Sequence, residues 1–459
     1  MKTVVVQGLG FVGAVMATVV ASCKKDNNPL FDVIGLDRNY GLGLQRIKDI
    51  NEGKFPIDTN DDELKAVFQE CYESKNLTAT SDIGVFADAD IIIVSINCDL
   101  IINKNGQKNI DLDSFADGIK DISKNMTNDT LIIIESTVPP GTCTKLIYPL
   151  LEQGSISSNL DIDSIYLSHS YERVMPGKNY LNSVKNFWRV YSGINEQSAM
   201  KCAEFLSKII NVKDYPLKRL KNTIASESAK LLENSYRAVN IAFIDEWSVF
   251  AEDAGFDLFE VIDVIKDRPT HNNILRPGFG VGGYCLTKDP LFAKISAEKI
   301  LKIYGHEFPF SSKAVEINNK MPNRTLARLK KYFDNDLSGL NILLLGITYK
   351  EDVADTRFSP SESFFKNLIN EGANVTAHDP MIGHWDELDI EVFNDLPVLS
   401  KFNSVVLAVN HGSYKKINFS SWINNCKNIL FFDSNNVLTK DQIIQIKNKN
   451  CKYLSIGRG

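Results

Sequence analysis

A glycine pattern near the amino terminus most limits what this chain can fold into. The stretch "VVVQGLGFVGAVMA" spaces Gly8, Gly10 and Gly13 as GxGxxG between a predicted strand and a predicted helix. In a βαβ unit the first glycine allows a tight turn, the second lets the backbone approach a pyrophosphate, and the third allows close helix–strand packing. A later apolar strand ends in "VIGLD", which puts Asp37 where an acidic side chain binds ribose hydroxyls. The sequence therefore predicts a dinucleotide-binding domain.

Two neighbouring residues bear on which dinucleotide would bind. Asp37 would repel a 2′-phosphate and so favours NAD over NADP, whereas the cation of Arg38 beside it would attract that group. A glycine turn without a ligand is the alternative interpretation. The strand before the glycines, the helix after them and the acid at Asp37 all favour a nucleotide site instead. We therefore expect NAD as the cofactor. The contacts expected for it from this part of the chain are Gly8, Gly10, Phe11, Val12, Gly13, Asp37, Arg38 and Ser95.

The order of apolar segments predicts three domains in the 459 residues. Val/Ile-rich runs such as "DVIGL", "DIIIVS" and "LIIIE" alternate with helical patterns, which is typical of a doubly wound parallel sheet. A long helical pattern then ends at Gly255, and strand patterns return from "NILLLG" onward. We predict an amino-terminal Rossmann-type α/β domain (1–216), a central helical domain that forms a homodimer (217–325), and a smaller carboxy-terminal Rossmann-like α/β domain (326–459).

Composition excludes several classes of function. A net charge of -6 without a long basic run argues against nucleic-acid binding, and no segment approaches 18 uninterrupted apolar residues, so we expect no membrane span. The 8 cysteines lack CxxC spacing and the 6 histidines lack HxxxH spacing, which argues against a disulfide framework or a metal centre. The first residues do not resemble a secretory signal. We expect a cytoplasmic protein.

A cysteine in a second glycine-rich turn raises the question of chemistry. In "RPGFGVGGYCLTKDP", Cys285 follows Gly280, Gly282 and Gly283, which leave room for a ligand to approach the backbone. A small buried core cysteine is the alternative. Lys288 would favour a thiolate electrostatically. A thiolate beside a dinucleotide site would add to an aldehyde, and the adduct would lose a second hydride to give a thioester that water cleaves.

The long central helix offers partners for such a reaction. "ESAKLLEN" places Lys230 and Asn234 at positions i and i+4, hence on one helical face. A partly desolvated Lys230 would stabilise a developing alkoxide or take its proton, although a solvated helix lysine is the alternative. Asp289 lies one turn beyond Cys285 if that segment is helical, close enough to act through a water.

Six separated motifs, in order, resemble one family. They are "GLGFVG" at Gly8–Gly13, "STVPPGT" at Ser136–Thr142, "ERVMPG" at Glu172–Gly177, "AKLLEN" at Ala229–Asn234, "GFGVGGYCLTKD" at Gly278–Asp289 and "YKEDVADTR" at Tyr349–Arg357. Over nearly its full length the chain is similar to the nucleotide-sugar 6-dehydrogenases of the UDP-glucose, UDP-N-acetylhexosamine and GDP-mannose dehydrogenase family. Such enzymes oxidise the C6 hydroxyl of a nucleotide sugar to a carboxylate in two NAD-dependent steps.

The resemblance implies a role for each matching residue. Cys285 would be the nucleophile, and Lys230 and Asn234 would hold the sugar oxygen and stabilise the oxyanion together with Asp289. Thr137 would position a water and contact the cofactor, and Glu172 would assist thioester hydrolysis. Arg357 would reach the cofactor. The substrate contacts it implies are Glu172, Arg173, Lys230, Asn234, Arg276, Phe279, Gly280, Gly282, Gly283, Tyr349 and Lys350.

The chain also departs from the family pattern. Tyr171 replaces a usual proline before the glutamate, Asn97 and Cys98 replace a frequent Thr-Pro pair, and Asn435 and Asn436 stand where an arginine is common. Arg268, His271 and Arg276 are alternative candidates for a residue that reaches the substrate of a dimer partner.

The sugar is left open by the motifs. "ERVMPG" is similar to enzymes of UDP-N-acetylhexosamines, whereas Tyr284, in place of a frequent histidine, is closer to UDP-glucose enzymes. A UDP sugar is favoured over a GDP sugar, with a lean to the N-acetylated kind. The alternatives in other classes are a two-electron hydroxyacid-type dehydrogenase, which needs no cysteine, and a non-catalytic dinucleotide-binding protein.

Overall fold

A computed structural model describes residues 1–102 and 108–459. Its α-helices are α1 (Phe11–Ala21), α2 (Gly41–Asn51), α3 (Asp62–Glu73), α4 (Leu112–Asn125), α5 (Tyr148–Ser157), α6 (Tyr180–Lys185), α7 (Glu196–Ile209), α8 (Thr223–Ala254), α9 (Leu258–Lys266), α10 (Asp289–Lys299), α11 (Pro309–Tyr332), α12 (Pro360–Asn370), α13 (Phe419–Ile423) and α14 (Lys440–Asn448). By packing, the chain divides into a first unit, Met1–Glu233 with Leu291–Glu307, and a second unit, Asn234–Pro290 with Phe308–Gly459.

The first unit contains an eight-stranded sheet. Its strands are β1 (Lys2–Gln7), β2 (Phe31–Leu36), β3 (Leu77–Thr80), β4 (Ile91–Val94), β5 (Leu131–Ile134), β6 (Tyr166–His169), β7 (Val190–Gly193) and β8 (Lys218–Arg219), in the order β8-β7-β6-β5-β4-β1-β2-β3. The pairs from β3 to β6 are parallel, whereas β7 runs antiparallel to β6. Order 3-2-1-4-5-6 is that of the dinucleotide-binding Rossmann fold.

Apolar residues hold helices on both faces of this sheet. Every residue of β4 and of β5 is buried, as expected for strands covered on both sides. One core packs α1, α3 and α7 against β1 and β2, and the other packs α4 and α5 against β4, β5 and β6. Burial on both faces thus explains why these strands are continuous apolar runs in the sequence and do not alternate with polar residues. The arrangement brings the carboxyl ends of β1, β4 and β5 to one edge, where ligands of such sheets bind.

Helix α8 is the longest element, with 32 residues. It ends where the sequence predicts, because Gly255 follows with φ of +82° and its N–H bonds back to the carbonyl of Ala251 at 3.0 Å. Residues of α8 up to Glu233 belong to the first unit and those from Asn234 to the second. Helix α11 continues through position 325, where the sequence analysis places a domain boundary.

The second unit contains a five-stranded parallel sheet. Its strands are β9 (Asn341–Leu345), β10 (Asn374–His378), β11 (Ser404–Leu407), β12 (Leu430–Asp433) and β13 (Lys452–Ser455), in the order β10-β9-β11-β12-β13. Order 2-1-3-4-5 is the other common doubly wound arrangement. Two-residue and three-residue hairpins at Lys24–Lys25 with Asn28–Pro29, Leu100–Ile102 with Lys108–Ile110, and His384–Trp385 with Ile390–Glu391 complete the strands.

The predicted fold class is confirmed. A Rossmann-type sheet comes first in the chain, a mainly helical stretch follows from α8 to α11, and a second, smaller Rossmann-like sheet completes it. Outside positions 103–107, none of the helices is both long and apolar enough to cross a lipid bilayer.

Candidate active site

The glycine turn after β1 has the geometry that a pyrophosphate requires. Gly8 has φ of +91°, and a Cβ there would lie 2.9 Å from the carbonyl oxygen of Ser95. A Cβ on Gly13 would lie 1.7 Å from the carbonyl oxygen of Gly8, so neither position accepts a side chain. A Cβ on Gly10, at the amino terminus of α1, would meet nothing within 4 Å. The open space therefore faces a helix amino terminus, which suits the pyrophosphate of NAD.

Asp37 follows β2 and is held in place by backbone donors. Its carboxylate accepts hydrogen bonds from the N–H groups of Leu9 at 3.0 Å and Arg38 at 2.8 Å. Arg46, in α2, lies 3.4 Å from the same carboxylate. The Arg38 guanidinium lies 5.8 Å from the ring centre of Tyr40. The sequence analysis predicts cofactor contacts for Asp37 and Arg38 and does not name Arg46, whose pairing with Asp37 has no local signal in the sequence.

Lys230 and Glu172 form a buried ion pair in the first unit. The ammonium of Lys230 donates to the carbonyl oxygen of Glu172 at 2.9 Å and lies 3.2 Å from its Oε1. Their side chains are 9% and 10% exposed. A solvated helix lysine is therefore the wrong interpretation of Lys230. The ring of Tyr171, the residue that departs from the family pattern, lies 5.6 Å from the same ammonium. The N–H of Val174 donates to the other carboxylate oxygen of Glu172.

The "STVPPGT" segment follows β5 and carries Thr137, which is half-buried. Its neighbour Ser136 donates to the carbonyl oxygen of Ile96 at 2.5 Å. Ser95, predicted to contact the cofactor, donates to Glu135 at 3.0 Å, and the same carboxylate forms a buried ion pair with Arg189. The carboxyl ends of β4 and β5 are thus tied together by polar side chains where the cofactor is expected.

A buried polar layer supports the start of α8, and the sequence analysis missed it. Nδ1 of His169, the last residue of β6, lies 2.7 Å from the hydroxyl of Ser226. Ser192 lies 2.7 Å from that same hydroxyl. Burial lowers the pKa of His169 to about 3, so the ring is neutral. Isolated serine and histidine residues in a sequence do not reveal such a layer.

Cys285 lies in the turn that leads into α10, in the second unit. Its carbonyl oxygen accepts from the N–H of Lys288 at 3.1 Å and of Asp289 at 2.9 Å, so the predicted helical spacing of Cys285 and Asp289 is present. The buried carboxylate of Asp289 accepts from Asn234 at 2.7 Å and lies 2.9 Å from the ammonium of Lys288. Asn234, Lys288 and Asp289 thus form one connected group beside the Cys285 turn.

The ring of Tyr349 explains why glycines precede Cys285. A Cβ on Gly283, where φ is +79°, would lie 2.7 Å from that ring, and a Cβ on Gly282 would lie 2.9 Å from the Cβ of Tyr349. A Cβ on Gly280 would lie 2.7 Å from Pro360. Burial raises the pKa of Tyr349 to about 12, with Asp355 and Cys285 adding to the effect. The turn is therefore packed directly against the "YKEDVADTR" segment.

A cavity of about 380 Å³ opens beside this turn within the second unit. Arg276 lines it and pairs with Asp263. Its other lining residues are Ile241, Phe259, Pro277, Gly278, Gly280, Val281, Met321, Asn410, Asn435 and Asn436. The two asparagines that depart from the family pattern thus lie beside predicted substrate residues. Phe279, by contrast, is buried against Phe364 in the core, with ring centres 5.2 Å apart.

The remaining predicted cations lie on surface segments of their own units. The Arg357 guanidinium binds both carboxylate oxygens of Asp355, at 2.9 and 2.7 Å, and this pair raises the pKa of Arg357. Lys350 is half-buried, and its carbonyl oxygen accepts from Thr348 at 3.0 Å. Arg173 lies 3.2 Å from Glu233. The side chains of Arg173 and Arg357 are thus each paired with an acid of their own unit.

Three family models match the chain in order. The description "UDP-glucose/GDP-mannose dehydrogenase family, NAD binding domain" matches residues 1–211, the central domain of that family matches 224–320, and its UDP binding domain matches 343–440. Together they span most of the sequence and include Cys285, Lys230, Asn234, Asp289 and the other predicted site residues.

Individual relatives agree with these matches. A UDP-N-acetyl-D-mannosamine dehydrogenase of Methanocaldococcus jannaschii is 33% identical over 96% of this chain and 93% of its own length. A solved UDP-D-ManNAc dehydrogenase of Pyrococcus horikoshii is similar at 26% identity with a TM-score of 0.82, covering both chains completely. A solved NDP-N-acetyl-D-galactosaminuronic acid dehydrogenase of Methanosarcina mazei is similar at 25% identity with a TM-score of 0.78, covering 100% of this chain and 95% of the other. The chain therefore belongs to the UDP-glucose/GDP-mannose dehydrogenase family and is an NAD-dependent UDP-sugar dehydrogenase.

Proposed function

We propose that this enzyme oxidises the C6 hydroxyl of a UDP-N-acetylhexosamine to a carboxylate in two successive steps, through a covalent intermediate on Cys285. The observation that carries the proposal is the environment of the thiol. All 8 cysteines lie in the described part of the chain, and Cys285 is exposed whereas the others are buried or half-buried. It follows a glycine turn that has no room for side chains on one face, next to the Asn234–Asp289 pair. A structural cysteine needs none of these features.

The first oxidation takes the alcohol to an aldehyde. Lys230 stabilises the developing alkoxide, because its desolvated ammonium interacts strongly with an anion, and the hydroxyl proton is released to water as the hydride leaves C6. Bound NAD supplies the hydride acceptor for this step and for the second one, held by Gly8, Gly10, Gly13 and Asp37. The buried Lys230–Glu172 pair supports this assignment, since Glu172 fixes the ammonium in one place.

The second oxidation needs the thiolate. The sulfur of Cys285 adds to the aldehyde carbon, which forms a C–S bond and an oxyanion stabilised by Lys230 and Asn234. Loss of hydride from that carbon gives a thioester. A water positioned by Thr137, with Glu172 assisting, then attacks the carbonyl, breaks the C–S bond and releases the acid and the thiol. Two hydrides leave each sugar in total.

The nucleotide sugar binds along the second glycine turn. The cavity beside Gly280 supports a role for Arg276 toward the nucleotide, and Tyr349 and Lys350 come from the segment packed against that turn. Arg357, of the same segment, contacts the cofactor. The names of the relatives favour an N-acetylated sugar, UDP-N-acetyl-D-mannosamine first among them. Arg173 lies in the "ERVMPG" segment that resembles such enzymes and contributes to the sugar subsite.

The test is a substrate panel with a count of products. UDP-N-acetylmannosamine, UDP-N-acetylglucosamine, UDP-N-acetylgalactosamine, UDP-glucose and GDP-mannose are each incubated with NAD, and NADH formed per sugar consumed is measured. The proposal expects two NADH per sugar and the highest kcat/KM with an N-acetylated UDP sugar. One NADH per sugar would indicate a two-electron dehydrogenase, and NAD binding without any turnover would indicate a non-catalytic protein.

An aromatic face on α8 supports a homodimer. Phe243, Trp247 and Phe250 follow one another at helical spacing, and their side chains are 50%, 43% and 57% exposed. Neighbouring rings make edge contacts at 6.4 and 5.9 Å. Exposed aromatic residues on one helix face are typical of an interface, and a two-fold dimer would bury the same face on both copies. Light scattering of wild-type protein and Trp247→Glu would test this, since a monomeric variant is expected.

We also retain the division into residues 1–216, 217–325 and 326–459 as a functional one: cofactor binding, catalysis with dimerisation, and nucleotide-sugar binding. A reducing cytoplasm is the compartment we propose, because none of the eight cysteines, all in the described part of the chain, forms a disulfide, and the reaction uses one of them as a thiolate.

A further inference from the structure

Glu227 is a fully buried acid that the reaction described above does not use. It lies on α8, three residues before Lys230, and none of its surface is exposed. One carboxylate oxygen accepts from the N–H of Gly141 at 2.6 Å, and the other accepts from the N–H of Cys143 at 2.8 Å. A single side chain therefore joins the helix that carries Lys230 to the segment that follows Thr137.

That segment is fixed at both of its ends. Ser136 is tied to the end of β4 through the carbonyl oxygen of Ile96, as described above. At the other end, Ser296 donates to the carbonyl oxygen of Pro140 at 2.5 Å. Gly141 has φ of +90°, and a Cβ there would lie 2.6 Å from the side chain of Leu301. Thr137 thus lies between two fixed points of the chain, Ser136 and the Pro140–Cys143 turn. Glu227 accepts two of the hydrogen bonds that fix the second point.

A carboxylate at this place is unfavourable unless its geometry is needed. Burial raises the pKa of Glu227 to about 7, although the N–H groups of Cys143 and Gly141 and the Cys143 thiol oppose that rise. A glutamine would avoid the buried charge, but it has one acceptor oxygen, and its NH₂ group would face a second N–H donor. Only an acid offers two acceptors in this position, which points to the paired contact as the reason for the residue.

We propose that Glu227 is a positioning residue, which holds the Thr137 segment in register with Lys230 for the reaction. It acts through Thr137 and does not contact the substrate. This inference rests on the proposed role of Thr137 in placing the water that cleaves the thioester.

A double-mutant cycle tests the inference. The variants are Thr137→Ala, Glu227→Gln and the double variant, with Glu152→Gln as control, because Glu152 is an exposed acid on α5, the helix that follows the same segment. We expect each single variant to lower kcat by about tenfold or more, with KM within about threefold. The double variant should be about as slow as Thr137→Ala alone, and Glu152→Gln should match wild type.

Independent effects would overturn the inference. If the losses multiply in the double variant, the two residues do not act together. If Glu227→Gln raises KM and leaves kcat unchanged, it supports binding and not the reacting geometry. The inference also fails if Glu227→Gln is slow while Thr137→Ala is as fast as wild type, because Glu227 would then act through some other residue.

Measurements of NAD binding and of thermal unfolding show whether each variant is folded. If Glu227→Gln does not fold, Glu227→Asp takes its place in the cycle, since it keeps two acceptor oxygens on a shorter side chain. If both Glu227 variants fold, Glu227→Asp should have a higher kcat than Glu227→Gln, although lower than wild type. The NADH count of the wild-type enzyme stands apart from this cycle: one NADH per sugar would refute the thioester route whatever the cycle shows.

Discussion

The buried acid and the buried histidine next to the start of α8 predict opposite effects of pH on stability. Glu227 ionises near pH 4.5 in an unfolded chain but only near pH 7 when folded. Its contribution to stability is therefore complete below pH 4.5 and is lost as the pH rises through about 7. His169 takes up a proton near pH 6.5 when unfolded but near pH 3 when folded. Its contribution is complete above pH 6.5 and is lost as the pH falls toward 3.

The two contributions oppose each other between pH 4.5 and 6.5. One pKa unit corresponds to about 1.4 kcal/mol, and because titration is only partial at the ends of this range, each group changes the free energy of unfolding by about 2 kcal/mol across it. Relative to wild type, Glu227→Gln should lose about 2 kcal/mol of stability on going from pH 6.5 to pH 4.5. His169→Gln should gain about the same amount over that range. Because other groups titrate identically in all three proteins, the differences from wild type isolate these two.

Urea unfolding at half-unit pH intervals, followed by circular dichroism, measures both differences. Each unfolding curve gives a free energy for its first cooperative transition, and the variant-minus-wild-type value is plotted against pH. The expected plots have slopes of opposite sign. A constant difference for Glu227→Gln across the whole range would refute the reasoning, since it would mean that Glu227 has the same pKa in the folded and unfolded states.

Three other substitutions test the reaction and its geometry. Cys285→Ser should abolish acid formation or stop it after the first oxidation, so normal acid formation, measured by product analysis, would contradict the covalent step. Lys230→Ala should lower kcat by orders of magnitude with NAD affinity nearly unchanged, and a collapse of NAD affinity by titration would make the lysine structural. Gly283→Ala should reduce kcat/KM strongly, because its Cβ would meet the Tyr349 ring at 2.7 Å and φ is +79°, and wild-type kinetics would refute that packing.

The fold could be predicted because local patterns and burial agree along the chain. Runs such as "IIIV" at β4 are apolar on both sides, and only a strand covered on both faces buries every one of its residues. The end of α8 could be placed at Gly255 because a glycine readily adopts the positive φ that commonly ends a helix. The strand pattern that returns at "NILLLG" is the strand β9, which begins at Asn341.

The site could be predicted only in part. Gly8, Gly13 and Asp37 follow from the needs of a nucleotide turn, which are local in sequence. The contacts of Glu227 join residues 84 and 86 positions apart, and the His169–Ser226 contact spans 57. No local spacing signals such pairs, because they depend on how strands and helices pack. Tyr349 is similar: its position against Gly283 follows from packing between two segments that are distant in sequence.

Helix α8 links these observations by its period alone. Glu227, Lys230 and Asn234 are separated by three and four residues, so their side chains lie along one stripe of the helix. The bonds of this stripe differ in kind: Glu227 accepts from two amides, Lys230 pairs with Glu172, and Asn234 donates to Asp289. Within the first unit, the contacts of Glu227 and Lys230 lie three residues apart on this stripe, so the register of α8 fixes the two amides that Glu227 binds and the Glu172 carboxylate relative to each other. A change that turns the helix between Glu227 and Lys230 would therefore disturb this relation, whereas a change in one side chain removes only its own bonds.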